Sequence, residues 1–248
     1  MTREPKWLVR WPQSEDPAVR LVCFGHAGAG ASAYRAWSEV APPAIEVCAV
    51  RLPGRESRTR EPAFDDVHEL VRAALPALAD GFEPPFALFG HCSGALVAFE
   101  LARELRRRGG PQPLVLIAAG QLAPSLQASA GRDRGLDVRE RVIRLGGTSD
   151  AVLQNDALFA KLVPTLVADF RLADEYEHRP EPPLESPIVV VSGSDDDSGI
   201  EGWARETAAG LEVRRLAADH FFRDEAWLDL ARTVVGEIER HAGSLATR

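Results

Sequence analysis

The chain has 248 residues, of which 45% are hydrophobic and 27% charged, proportions that are typical of a globular protein. This length allows one large domain, or a core domain with a modest insertion. The formal net charge of −8 argues against non-specific binding of nucleic acid, which depends on a basic surface.

The N-terminal stretch, MTREPKWLVRWPQSEDP, contains no apolar segment like that of a secretory signal. No apolar run elsewhere approaches the length of a membrane-spanning helix. The three cysteines, Cys23, Cys48 and Cys92, have neither the number nor the spacing of a disulfide framework or a metal site. We therefore expect a cytoplasmic protein without membrane partner, metal or bound cofactor, and with a monomer as the default state.

Short apolar runs then alternate with longer amphipathic segments. The predicted strands cover residues 18–24, 45–50, 85–89, 113–119, 187–192 and 211–216. The predicted helices cover residues 64–80, 95–108, 200–210 and 223–241. The apolar runs are rich in Val, Ile, Leu and Phe and are bounded by Gly or Pro, as buried strands are. The alternation predicts an α/β fold, in which helices flank both faces of a mostly parallel central sheet.

Residues 123–177 interrupt this alternation. They contain no convincing strand, but apolar residues such as Leu162 and Leu166 recur at helical spacing. We predict that this segment is a helical lid inserted into a core made of residues 1–122 and 178–248. Two ordinary crossover helices are the alternative.

The sequence GHCSGA, residues 90–95, lies between a predicted strand and a predicted helix, the context of the nucleophile turn G-x-S-x-G. The positions that flank such a nucleophile must be small because the turn is sharp. Gly90 and Gly94 meet this requirement if Cys92 is the nucleophile. If Ser93 were the nucleophile, a bulky histidine would occupy one of the two flanking positions. The motif therefore predicts Cys92 as the nucleophile.

A thiol at this position has a physical advantage. The N-terminus of a helix presents unpaired N–H groups and a partial positive charge, and both stabilise a thiolate. The backbone N–H of Ser93 is then available to an oxyanion. The alternative is a small buried cysteine in a glycine-rich turn, and that inert interpretation is the one we adopt for Cys23 and Cys48, which lie within apolar strands.

A nucleophile of this kind needs a base and a group that orients the base. In α/β-hydrolases the order along the chain is nucleophile, acid, histidine. His220 follows the last predicted strand, where the base is expected. The sequence SGSDDDSG follows the strand at 187–192 and offers Asp195, Asp196 and Asp197 as the acid. The common spacing Gly-x-x-Asp favours Asp196, and its two neighbours remain open.

The loop FGHAGAGAS, residues 24–32, follows an early strand and is the expected source of a second oxyanion donor. Its glycines allow the backbone to approach a ligand closely, and we select the N–H of Ala27. The loop matches a dinucleotide-binding fingerprint too loosely to predict a nucleotide. His26 is either a further contact or a structural hydrogen-bond partner.

Several stretches together resemble the type II, or editing, thioesterases of polyketide and nonribosomal peptide synthases. They are LVCFGHAGAGASAYRAW (21–37), VCAVRLPGRESR (47–58), FGHCSGALVAFELAREL (89–105), GGTSDAVLQ (146–154), PTLVADFRLADEY (164–176) and DHFF (219–222). The resemblance implies an α/β-hydrolase fold, a flexible helical lid and a Ser-Asp-His triad. It implies hydrolysis of acyl or aminoacyl groups from the phosphopantetheine of an acyl or peptidyl carrier protein, or of a small acyl thioester such as a CoA ester.

The chain departs from the family pattern at the nucleophile, where GHCSGA replaces the usual GHSMGA. An acyl group transferred to Cys92 stays a thioester and so keeps its potential for a second transfer. The main expectation is a Cys-His-Asp thioesterase, and the alternative is an acyltransferase that passes the acyl group to a thiol or an amine. A carrier-binding protein without activity is a third hypothesis. An engineered exchange of serine for cysteine would give the same motif.

Carrier proteins of this class are usually acidic, so docking requires local positive charge. The stretch RLPGRESRTR, residues 51–60, is one candidate, with Arg55 and Arg58 as the residues to test. The arginines of ARELRRRGG, residues 102–110, are a second candidate, although a solvated helical face is the simpler interpretation of that run.

Overall fold

The computed structural model describes residues 7–82, 85–129, 136–194 and 199–245. Its strands are β1 (Leu8–Trp11), β2 (Val19–Phe24), β3 (Ile45–Val50), β4 (Phe86–His91), β5 (Leu116–Ala119), β6 (Ile188–Ser192) and β7 (Leu211–Arg215). Its α-helices are α1 (Arg35–Val40), α2 (Val67–Ala74), α3 (Ser93–Arg107), α4 (Val138–Leu145), α5 (Asp150–Leu153), α6 (Asp156–Asp174) and α7 (Glu225–Leu245). Short 3₁₀ helices cover Ala31–Tyr34, Glu56–Arg58, Leu75–Ala77, Ala79–Phe82, Pro124–Ser129 and Ile200–Arg205.

Within the part of the chain that the structure describes, the strands form one sheet in the order β1-β3-β2-β4-β5-β6-β7. β1 is antiparallel to β3, and every other neighbouring pair is parallel. The predicted α/β fold with a mostly parallel sheet is confirmed. Because parallel strands end at the same edge of a sheet, the loops after β2, β4, β5, β6 and β7 lie along one edge, where α/β proteins bind their ligands.

Each face of the sheet has its own apolar core. Val22 of β2 and Leu88 of β4 belong to the core shared with α2 and α3. Leu21 and Phe89, on the same two strands, belong to the core shared with α1 and α7. A strand that is buried on both faces has apolar residues at consecutive positions, which explains the continuous apolar runs in the sequence.

The six predicted strands form, but some other elements differ from prediction. β1 and α1 are not among the predicted elements, because both are short and give little periodic signal. The predicted helix 64–80 ends as an α-helix at Ala74, because Pro76 follows and cannot continue the α-helical hydrogen bonding. The predicted helix 200–210 is a 3₁₀ helix that ends at Arg205, and Thr207 beyond it pairs with Leu184 in a β-bridge.

Two of the three cysteines lie inside the sheet. Cys23 of β2 and Cys48 of β3 are fully buried and unbridged. Burial raises the pKa of Cys23 well above its ordinary value and raises the pKa of Cys48 to about 12, so both remain thiols at neutral pH. These properties agree with the inert role expected for them.

Helices α4, α5 and α6, residues 138–174, are called the α4–α6 segment below. The described residues of the predicted insertion 123–177 contain no strand, as expected. Val142, Phe159, Leu166 and Phe170 form a small apolar core within the α4–α6 segment, separate from the two cores of the sheet. None of the helices among the described residues combines the length and the apolar character needed to cross a membrane.

Candidate active site

Cys92 occupies the turn between β4 and α3 in a backbone conformation that L-residues rarely adopt. Its φ is +52° and its ψ is −127°. Hydrogen bonds on both sides hold the turn: the N–H of Cys92 donates to the carbonyl of Ala119 at 2.8 Å, and its own carbonyl accepts from the N–H of Ala95 at 2.8 Å. Strain of this kind is concentrated at functional sites, and here it places the side chain of Cys92 at the N-terminus of α3.

The two glycines of the motif have no room for a side chain. A Cβ on Gly90 would lie 2.4 Å from the Cα of Ala95, and a Cβ on Gly94 would lie 2.4 Å from the carbonyl oxygen of Phe24. Cβ atoms essentially never approach backbone atoms this closely. The residues on both sides of Cys92 must therefore be small, as the choice of Cys92 as the nucleophile requires.

A cavity of about 370 Å³ lies at the N-terminus of α3, and its lining includes Cys92, Ser93, Ala27 and His220. Four of the five predicted site residues thus share one cavity. The fifth, Asp196, lies outside the described residues, as do Asp195 and Asp197. The remaining wall comes mainly from the α4–α6 segment. Its apolar part is formed by Val142, Leu145, Leu166, Phe170 and Ala173, and Arg141, Thr148 and Asp169 add polar groups.

The loop after β7 carries His220 to the ends of β5 and β6. Gly120, with φ +57°, packs against its ring: a Cβ there would lie 3.2 Å from Cε1 of His220. After β6, the N–H of Ser194 donates to the carbonyl of Ala218 at 2.8 Å. A Cβ on Gly193 would lie 2.8 Å from the carbonyl oxygen of Asp219. The backbone that leads into the three aspartates is therefore in contact with the loop that carries His220.

His91, which the sequence does not predict as a site residue, connects two loops to the end of β4. Its ring is fully buried, Nε2 lies 2.8 Å from the carbonyl oxygen of His220, and Nδ1 lies 3.2 Å from Nδ1 of His26. Since a carbonyl only accepts, Nε2 of His91 carries the proton. Burial, reinforced by the neighbouring histidines, lowers the pKa of His91 well below its ordinary value. Its neutral ring therefore accepts at Nδ1 from Nδ1–H of His26.

His26 is held in the same uncharged state. Burial, together with the charges of His220 and Arg55, lowers the pKa of His26 to about 4. Throughout the neutral pH range, therefore, His26 donates to His91 and His91 donates to the backbone carbonyl of His220. These hydrogen bonds fix the loop after β2 and the loop after β7 to the last residue of β4.

The turn that carries Ala27 leaves one donor available. The N–H of Ala29 donates to the carbonyl of His26 at 2.9 Å, and Gly28 has a φ of +81°, as the third residue of a type II turn requires. Among the described residues, nothing accepts a hydrogen bond from the N–H of Ala27. Ser93 is the first residue of α3, so its N–H has no partner within the helix. Both donors belong to residues that line the cavity.

Asp169 of α6, which was not predicted as a site residue, contacts this turn directly. Its Oδ2 accepts from the N–H of Gly28 at 2.7 Å, and its Oδ1 accepts from Nη2 of Arg55 at 2.7 Å. Arg55 also donates through Nη1 to the carbonyl of Ala29 at 3.0 Å. Both charged side chains are buried, with 7% of Arg55 and 3% of Asp169 exposed. A carboxylate among the apolar residues of a predicted helix, as in VADF, was the signal for a buried partner.

A second cavity, of about 1150 Å³, lies between the α4–α6 segment and residues 54–63. It shares Ala27, Thr148 and Leu166 with the first cavity, so together the two lead from the surface to Cys92. Arg60 and Lys161 are exposed on its walls. This larger cavity therefore provides an approach of mixed polarity to the nucleophile.

Most of the arginines suggested for docking are buried or paired with a carboxylate. Arg55 and Arg58 are buried, and Arg58 is paired with Glu61 at 2.7 Å. Three arginines of α3 and the one that follows it are each paired with a glutamate: Arg103, Arg106, Arg107 and Arg108. The expectation that Arg55 and Arg58 contact a partner is therefore wrong: burial and internal pairing occupy both.

Comparison with known proteins identifies the family. Residues 19–240 match the family model of the thioesterase domain. The gramicidin S biosynthesis protein GrsT of Aneurinibacillus migulanus is 34% identical over 229 residues, which cover 89% of this chain and 89% of GrsT. The RedJ thioesterase of the prodiginine pathway in Streptomyces coelicolor has a TM-score of 0.84 at 35% identity, over 92% of this chain and 96% of RedJ. The type II thioesterase BorB from the borrelidin cluster has a TM-score of 0.84 at 30% identity, over 98% of this chain and 100% of BorB.

The two structural similarities extend over nearly the whole of each chain and confirm the α/β-hydrolase-like fold. The matched family and the relatives support a thioester hydrolase. No group of three or more His, Cys, Asp or Glu side chains that could hold a metal ion occurs among the described residues. Because residues 19–240 match the family model and the similarity to BorB extends over all of that chain, this protein belongs to the thioesterase family and, within it, to the type II thioesterases.

Proposed function

We propose that this thioesterase hydrolyses acyl or aminoacyl thioesters on the phosphopantetheine of carrier proteins in polyketide or nonribosomal peptide biosynthesis, in the reducing cytoplasm. The observation that carries the proposal is one cavity lined by a cysteine in a strained turn, by a histidine and by the two residues proposed as oxyanion donors. The roles are Cys92 as nucleophile, His220 as base, Asp196 as the acid that orients the base, and Ala27 and Ser93 as oxyanion donors. The segment 123–177 acts as a lid on a core of residues 1–122 and 178–248.

In the first half of the reaction, His220 accepts the thiol proton of Cys92, and the thiolate attacks the thioester carbonyl. The N–H groups of Ala27 and Ser93 donate to the negative oxygen of the tetrahedral intermediate. The intermediate then expels the pantetheine thiolate, which takes the proton from the imidazolium of His220. The acyl group is left on Cys92 as a new thioester.

In the second half, His220 removes a proton from water, and the resulting hydroxide adds to the acyl carbonyl. The same two N–H groups stabilise the second intermediate, which expels the thiolate of Cys92 and releases the free acid. The proton held by His220 returns to Cys92. The apolar wall from the α4–α6 segment suits a hydrocarbon part of the acyl group.

The test uses a carrier protein whose phosphopantetheine bears a short acyl group. We expect free acid to accumulate catalytically and intact-mass spectrometry to detect a transient acyl adduct on Cys92. Acyl groups that appear on a second carrier, without free acid, would establish the acyltransferase, which the known relatives do not support. Carrier binding without either product would contradict enzymatic activity altogether.

Docking of the carrier is expected beside the larger cavity. Reversing the charges of Arg60 and Lys161 together, R60E with K161E, should raise KM for the acyl-carrier about tenfold, since charges at a rim govern encounter with an acidic partner. Steady-state kinetics with a small acyl thioester should show little change. R232E, on α7, which contributes nothing to either cavity, is the matched control. A similar rise in KM for R232E, or an equal loss on both substrates, would rule out docking here.

A further inference from the structure

We propose that Asp169 is a positioning residue that holds the backbone of the 25–30 loop so that the N–H of Ala27 is directed at the reacting carbonyl. The inference rests on the proposed function, because the role of Ala27 does. Oδ2 of Asp169 accepts from the N–H of Gly28 at 2.7 Å, and Gly28 follows the proposed donor directly. Fixing this peptide restricts rotation of the one before it, which carries the N–H of Ala27.

Arg55 makes this use of a carboxylate compatible with catalysis. Asp169 lines the same cavity as Cys92, and an unpaired negative charge there would oppose the charge that develops on the substrate oxygen. The bond from Nη2 of Arg55 to Oδ1, at 2.7 Å, balances that charge. Nη1 of Arg55 meanwhile donates to the carbonyl of Ala29 at 3.0 Å, so the guanidinium holds the far end of the same turn.

The holding groups come from different parts of the fold. Asp169 belongs to α6, Arg55 lies after β3, and Gly28 lies after β2. Displacement of α6 by a few ångströms would break the bond from Gly28 to Asp169 and leave the turn without its side-chain acceptor. The two oxyanion donors, Ala27 and Ser93, are therefore both in place only while α6 lies against the 25–30 loop. Thioester cleavage is confined to that arrangement.

The chain offers a matched control on the same helix. Thr165 of α6 donates through Oγ1 to the carbonyl of Gly54 at 2.7 Å, which is another bond between α6 and the core. Within the part of the chain that the structure describes, Thr165 makes no hydrogen bond to the 25–30 loop. T165V therefore weakens the attachment of α6 without removing the acceptor of Gly28, whereas D169A removes that acceptor.

The experiment compares D169A, D169N and T165V by steady-state kinetics on a small acyl thioester and by hydrogen exchange of residues 25–30. We expect D169A to lower kcat about 100-fold with KM changed less than threefold, the size of effect found when one oxyanion donor is lost. Exchange of the Gly28 amide should accelerate. D169N retains an oxygen acceptor and should recover part of kcat, while T165V should leave kcat within threefold of the parent.

Because D169A leaves the charge of Arg55 buried and unpaired, the double variant D169L/R55M separates misfolding from mispositioning. It should regain thermal stability relative to D169A and remain as slow. Recovery of kcat in the double variant, or unchanged exchange at Gly28 in D169A, would overturn the proposal. These outcomes are distinguishable from a failure of the proposed function, which would appear in the parent protein as absent turnover of the thioester.

Discussion

Replacement of Cys92 by alanine is expected to lower kcat/KM for an acyl-carrier thioester by roughly 10⁴-fold or more, because no covalent intermediate can form. Any residual rate would come from the oxyanion donors and from substrate binding. Intact-mass spectrometry should show no acyl adduct on C92A, and the affinity for an uncleavable thioether analogue should stay close to that of the parent. C92S should restore partial turnover through an oxoester intermediate.

The adjacent hydroxyl provides the control for this experiment. S93A retains the backbone N–H at the start of α3 and removes only the side chain that could replace Cys92 as nucleophile. We expect S93A to retain nearly full turnover and the mass adduct. If C92A continues to be acylated and the label maps to Ser93, the assignment of the nucleophile is reversed.

Substitution of Gly94 by alanine is expected to damage both the stability and the activity of the protein. The added Cβ would lie 2.4 Å from the carbonyl oxygen of Phe24 and 2.6 Å from that of Gly25, so α3 and the loop after β2 must separate. We expect a loss of unfolding free energy on the order of 3 kcal/mol. We also expect kcat to fall about 100-fold, since Ala27 and Cys92 would no longer face the same point.

Gly236 of α7 is the matched control for the added methyl group. It lies in the interior of the helix, and a Cβ there would meet nothing within 4 Å. G236A should therefore stabilise the protein by about 0.5–1 kcal/mol through helix propensity, and leave kcat unchanged. Thermal melts and initial rates on both variants suffice. A stable, active G94A would mean that the turn tolerates separation from the neighbouring loop.

The sequence predicts the sheet well because burial on both faces produces continuous apolar runs, such as LVCF in β2 and LIAA in β5. The turn around Cys92 is predictable for another reason, since its small flanking residues are a local requirement that reads directly from the chain. β1 is not predicted because it has only four residues, whose burial does not follow a clear period of two.

The contacts that complete the site are not predictable in this way, because they join residues that are distant in the chain. Asp169 and Arg55 are 114 positions apart, and His91 and His220 are 129 apart. Each of these four residues has an ordinary local pattern: Asp169 lies in a helix, His91 lies at the end of a strand, and the other two lie in loops. Charge or polarity at a buried position indicates that a partner exists, but only the folded arrangement identifies it.

The position of His91 has a consequence for dissecting this enzyme by mutagenesis. One ring nitrogen of His91 contacts the backbone of His220 and the other contacts His26, so the loop after β2 and the loop after β7 share a single support at the end of β4. Free-energy changes from substitutions in these loops will therefore not be additive. The contribution of either loop to stability can be measured only in a double-mutant cycle that also changes a residue of the other loop or His91.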